Sequence, residues 1–135
     1  MNTPWDKAKK LKWVGGLDLN QAKVDPGARY FVAMLHQLGF ETWFSCEGHP
    51  NGFYIVFTGP YRKALRLANA GYFSVEIEGA SRWSLRFNRK VTNRERIYCL
   101  RGASRSWEAN WGKLAAKPKR NPSRNRKKNA HTRSC

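Results

Sequence analysis

"PYRKALRLANAGYFSVEIEGASRWSLRFN", residues 60–88, changes its period partway along. Up to Gly71 the period is helical. Pro60 fits a first helical turn, Tyr61, Ala64, Leu65 and Ala68 share one face, and Gly71 suits the left-handed residue that ends a helix. After Gly71 the period is two. Phe73, Val75 and Ile77 alternate with Ser74, Glu76 and Glu78, and beyond the turn "EGAS" Trp83, Leu85 and Phe87 alternate with Arg82, Ser84 and Arg86. That is a hairpin with one apolar and one polar face. Glu76 and Glu78 face the arginines across it, at about 0.2–1 kcal/mol per pair.

The same order occurs upstream. In "VDPGARYFVAMLHQLGF" Asp25 can cap a helix, Pro26 fits its first turn, Tyr30, Phe31, Met34, Leu35 and Leu38 share a face, and Gly39 ends it. "ETWFSCE" and "GFYIVFTG", parted by "GHPNG", read as a second hairpin. Two helix–strand–strand units predict an α+β fold: a four-stranded, mainly antiparallel sheet with both helices on one face. Downstream, "TNRE" at 92–95 fits a capping box. Ile97, Tyr98 and Arg101, then Trp107, Trp111 and Leu114, extend a C-terminal helical pattern that Gly102 is expected to break.

Charge divides the chain further. The net charge is +17. Residues 113–135 hold nine Lys or Arg and no acid, which leaves 17 − 9 = +8 for residues 1–112. Leu114 is the one large apolar residue of that segment, too little to offset the entropy of ordering it. The expected organisation is a basic arm over 1–16 (Lys7, Lys9, Lys10, Lys12), an α+β body over 17–112, and a disordered basic tail over 113–135. Such an excess of charge favours a polyanionic partner, nucleic acid first. No apolar run reaches the roughly 18 residues of a membrane span, so no membrane partner is expected. Three cysteines without framework spacing, Cys46, Cys99 and Cys135, predict reduced thiols and, with no apolar leader, a cytoplasmic protein.

Chemistry could reside in Cys46, Glu47 and His49. Cys46 and His49 have the spacing of half a metal site, but His36, Cys99, His131 and Cys135 supply no second pair, so no metal is expected. Cys46 with His49 could serve as nucleophile and base, or Glu47 with His49 as an acid–base pair. The competing reading makes Gly48, Pro50, Asn51 and Gly52 an ordinary turn, and Cys46 a small apolar residue following Thr42 and Phe44 on one strand face. No glycine-rich phosphate loop or dinucleotide fingerprint occurs, and no cofactor is expected.

The basic residues read more clearly. Arg62, Lys63 and Arg66 lie opposite the apolar face of the second helix; Arg82 and Arg86 lie on the polar sheet face. Lys117, Lys119, Arg120, Arg124, Arg126, Lys127 and Lys128 fill the tail. Together they form the expected nucleic-acid-binding set, which neutralises phosphates with little sequence choice. Trp43 and Tyr54, with Val56, are expected on the same outward face, where aromatics beside arginines stack on unpaired bases.

"LGFETWFSCEGHP" with "FYIVF" resembles a set of small phage and bacterial proteins that carry a helix, then a Gly-hydrophobic-Glu-Thr strand ending in Ser-Cys-Glu-Gly. The resemblance covers residues 24–88. It implies a similar fold and a viral accessory role, with a host protein as an additional partner. More distantly, Thr42, Ser45, Cys46 and Gly48 are similar to a motif of the wybutosine-synthesis methyltransferase family, which acts on transfer RNA with S-adenosylmethionine. Glu47 stands where that family tends to have serine and His49 where it tends to have arginine, and the chain is short for that enzyme. Neither the methyl donor nor the activity is carried over.

Overall fold

The computed structural model describes residues 2–47 and 52–116. The chain is α+β. It runs through α1 (Pro4–Ala8), a short hairpin β1 (Trp13–Val14) and β2 (Leu17–Asp18), and a 3-10 turn (Pro26–Ala28) leading into α2 (Arg29–Gln37). Then follow β3 (Glu41–Cys46), β4 (Tyr54–Thr58), α3 (Tyr61–Ala68), β5 (Phe73–Gly79), β6 (Arg82–Phe87), α4 (Asn93–Ala109) and α5 (Trp111–Ala115). The main sheet has the order β3-β4-β6-β5, antiparallel throughout. The second strands of the two helix–strand–strand units therefore meet at the centre, with Val56 opposite Ser84. Gly39 and Gly71 occupy the same place in each unit, both at positive φ (89° and 82°).

Alternation decides which sheet face is covered. Phe53, Ile55, Phe57, Phe73 and Leu85 are buried, while Tyr54, Val56, Thr58, Arg82 and Arg86 on the other face remain half-exposed. The core is aromatic. Phe31 of α2 meets Phe53, Phe73 and Trp107 edge-on at centroid distances of 5.5, 5.1 and 5.0 Å. Each such pair contributes about 0.5–1.5 kcal/mol beyond the area it buries. Among the described residues no helix is long and apolar enough to cross a membrane.

Several expectations are corrected by packing. Residues 2–16 do not stand off the body as the arm expected over 1–16. Trp5 is 2% exposed, and its indole N–H donates to the Gly27 carbonyl at 2.7 Å. Thr3 and Asp6 form a capping box, and Arg101 of α4 grips the Asp6 carboxylate at 3.1–3.2 Å. One buried indole supplies more apolar area than four exposed lysines can oppose. At the other end Leu114, 4% exposed, seats α5 on the body, so residues 113–115 are helical; the rest of the expected tail, from 117, lies outside the described residues.

On α3 the buried residues are Ala64 and Leu67, whereas Tyr61 and Leu65 are 55% and 41% exposed. Tyr61 lies beside the Trp83 ring at 5.3 Å, and the helix meets β5 along the narrow Ala64–Leu67 ridge. Gly102 does not break α4, which runs unbroken from Asn93 to Ala109 behind the Thr92–Glu95 capping box. Its missing side chain makes room for Tyr72, whose hydroxyl would lie 2.5 Å from a Cβ at Gly102. Tyr72 itself sits in the left-handed region at φ 66°, a strain of about 1–2 kcal/mol that this close packing helps to offset.

Candidate nucleic-acid interface on the open sheet face

The open face begins with an irregularity in β3. Thr42 pairs with Phe57 and Phe44 with Val56, so Trp43 forms a bulge between them. One extra residue reverses the alternation on either side of it. Thr42 thus points into the core at 3% exposure, while Phe44 and Cys46 point outward. The expectation that Thr42, Phe44 and Cys46 share a face fails for this reason. Trp43 also reaches the outer side, donating its indole N–H to the Thr58 hydroxyl at 3.2 Å.

Across the face the chemistry changes strand by strand. Trp43, Phe44, Tyr54 and Val56 make β3 and β4 aromatic and apolar, Arg82 and Arg86 make β6 cationic, and Glu76 and Glu78 make β5 anionic. The Arg82 guanidinium lies 4.7 Å from the Trp43 ring centre, and that of Arg86 lies 5.0 Å from Tyr54. Each contact is worth about 0.5–1 kcal/mol at such exposure. Arg86 also reaches Glu76 at 3.4 Å, Glu78 at 3.7 Å and the Ser84 hydroxyl at 3.3 Å. These ion pairs are solvent-exposed and contribute at most about 1 kcal/mol each. A shallow depression lies over the centre, lined by Phe44, Tyr54, Val56, Glu78, Arg82 and Arg86.

Four of the expected residues, Trp43, Tyr54, Arg82 and Arg86, are therefore brought together. Phe44, 38% exposed, belongs with them, although the bulge that turns it outward leaves no mark in the residue pattern. Arg62, Lys63 and Arg66 are elsewhere, on a helix of the covered side. Arg62 is exposed. Lys63 donates to the Leu38 carbonyl at the end of α2 (2.7 Å), and Arg66 donates to the Ala116 carbonyl at the end of α5. Cations at helix C-termini stabilise the exposed carbonyls, so these two have a structural task. Lys117, Lys119, Arg120, Arg124, Arg126, Lys127 and Lys128 lie outside the described residues.

Of the residues with catalytic potential, Cys46 and Glu47 are described, and their side chains turn to different partners. Cys46 faces outward, its thiol donating to the Tyr54 hydroxyl at 3.4 Å. Glu47 turns toward the 3-10 turn, where its carboxylate accepts the Gly27 N–H at 2.5 Å while its own N–H donates to Asp25 at 2.9 Å. Gly27 is required for that approach, since a Cβ there would lie 2.1 Å from the Glu47 carboxylate. Asp25 thus ties the end of β3 to the turn instead of capping a helix with its own side chain. His49 lies outside the described residues. His36 sits on α2 with its Nε2 3.1 Å from the Thr42 hydroxyl; burial pushes its pKa down and Glu41 opposes the shift in part. Among the described residues no three His, Cys, Asp or Glu side chains cluster as metal ligands would. No family model, no curated protein and no solved structure matches the chain.

Proposed function

We propose that this protein is a cytoplasmic nucleic-acid-binding accessory protein, in keeping with the phage-like resemblance of residues 24–88. It binds mainly through phosphate charge, with weak sequence selectivity. The observation that carries the reading is the net charge of +17, of which nine units fall in residues 113–135. A chain so basic attracts polyanions within about one Debye length, roughly 8 Å at physiological salt, and releases their counterions on contact. The aromatic and guanidinium groups on the open sheet face support it, because they are the groups that hold unpaired bases.

A second reading, a module docking on an acidic host protein, draws on the exposed apolar residues Tyr98 and Ile77, at 79% and 74%. Salt dependence separates the two. If about half of the basic residues beyond Ala116 engage phosphates, ending the chain there flattens the slope of log affinity against log salt by about four units on duplex DNA. Fluorescence anisotropy with the full and shortened chains measures this. An unchanged slope, or no binding by the full chain at physiological salt, would refute the proposal.

A further inference from the structure

The depression on the open face is not uniformly basic. Phe44, Tyr54 and Val56 give it ring faces and apolar contact, Arg82 and Arg86 line it from β6, and Glu78 lines it from β5. With Glu76 beside it, two carboxylates meet Arg86 and balance the charge of the two arginines, so this face offers a phosphate chain little net charge. A face built for backbone contact alone gains nothing from carboxylates, which repel phosphate. A carboxylate beside aromatic rings has another use. It accepts a hydrogen bond from an exocyclic amino group, as acidic side chains do from the N4 amino group of cytosine.

The geometry suits that use. From β4 to β5 is two strand spacings, about 10 Å. Glu78 leans back over β6 toward Arg86 at 3.7 Å, which places its carboxylate in the same depression as the Tyr54 ring. Arg86 spans the gap, contacting Glu78 on one side and Tyr54 on the other. The Arg82 guanidinium lies over the Trp43 ring at 4.7 Å, which keeps its charge at the rim of the depression where a phosphate can reach it.

We infer that the depression takes one unpaired, amino-bearing nucleobase of a single strand. The base takes the place over the Tyr54 ring that the Arg86 guanidinium holds in the free protein, with Phe44 beside it, donates its amino group to Glu78, and leaves its phosphate beside Arg82 and the displaced Arg86. In a duplex the amino group is already paired and the base faces are already stacked, so the site selects single strands. This rests on the nucleic-acid reading above and adds the class of base.

Oligocytidylate and oligouridylate of equal length make the test. They carry the same phosphate charge and differ at the base by an amino against a carbonyl group, so contributions from basic residues elsewhere cancel in the ratio of affinities. With the full-length protein in fluorescence anisotropy, the cytidine strand is expected to bind about fivefold or more tightly. Glu78→Gln, whose amide both donates and accepts, should bring the ratio close to one. Phe44→Ala should weaken the cytidine strand about tenfold and leave duplex binding unchanged. Phe44→Leu, which keeps apolar volume without the ring, replaces it should the alanine variant fail to fold. Equal affinity for the two strands, or a ratio that survives Glu78→Gln, overturns the base assignment and leaves the nucleic-acid reading standing. Absence of binding to both single strands overturns the base assignment, and absence of binding to duplex DNA as well overturns the nucleic-acid reading with it.

Discussion

Asp6→Asn probes how the N-terminus is held, and its expected cost follows from the surroundings of one carboxylate. Asp6 is 15% exposed and accepts hydrogen bonds from the Thr3 amide and hydroxyl (3.1 and 2.6 Å) and from two nitrogens of Arg101. Burial pushes the carboxyl up, but the bonds from Thr3 and Arg101 outweigh it and hold the pKa at about 2, against an ordinary value of 3.8. A folded-state pKa below the unfolded one stabilises the protein fully above the unfolded value and is lost as pH falls from about 3.8 toward 2. A gap of nearly two units corresponds to about 2 kcal/mol. Asp6→Asn keeps the shape and an acceptor for Thr3 but removes the charge. It should cost about 1–2 kcal/mol at neutral pH and flatten the loss of stability between about pH 4 and 2. Urea unfolding followed by tryptophan fluorescence across that range measures both effects. If the variant stays within about 0.5 kcal/mol of the parent at neutral pH, as an exposed site would, Asp6 does not hold α1 to α4.

Gly102→Ala tests the unbroken α4: a helix interior alone would gain about 1 kcal/mol from alanine, whereas the clash with Tyr72 should produce a net loss of about 1–3 kcal/mol in the same unfolding assay. A gain would mean that Tyr72 does not pack there. His36 should titrate below the ordinary 6.5, because burial favours its neutral form, so stability should decline as pH drops beneath about 6.5. An imidazole proton titration by NMR with a midpoint above 6.5 would contradict this.

How much was legible in the residues depended on whether a feature is local. The β5–β6 hairpin and the Thr92–Glu95 capping box are local patterns, and both occur where alternation and spacing placed them. The bulge at Trp43 is not local. It depends on pairing with β4, and without it Phe44 reads as a residue sharing a face with Thr42. Trp5 sits among lysines whose charge suggests a solvated arm, and only the distant Gly27 carbonyl and Arg101 reveal its place in the core. Gly102 carries the chemical mark of a helix break, yet its small size serves Tyr72, thirty residues earlier in the chain (102 − 72 = 30). Lys63 and Arg66 read as phosphate ligands by charge alone, whereas their carbonyl partners belong to other helices. Glu47 reads as an acid–base residue by type alone, whereas its carboxylate accepts the Gly27 N–H from a turn twenty residues away.

Photocrosslinking of the full-length protein to a single-stranded RNA at physiological salt, with the modified peptides identified by mass spectrometry, tests the central claim most directly. Crosslinks at Trp43, Phe44 or Tyr54, together with crosslinks in the basic segment beyond Ala116, are the expected result. An absence of crosslinks, or crosslinks confined to the covered side around Arg62, would contradict the account.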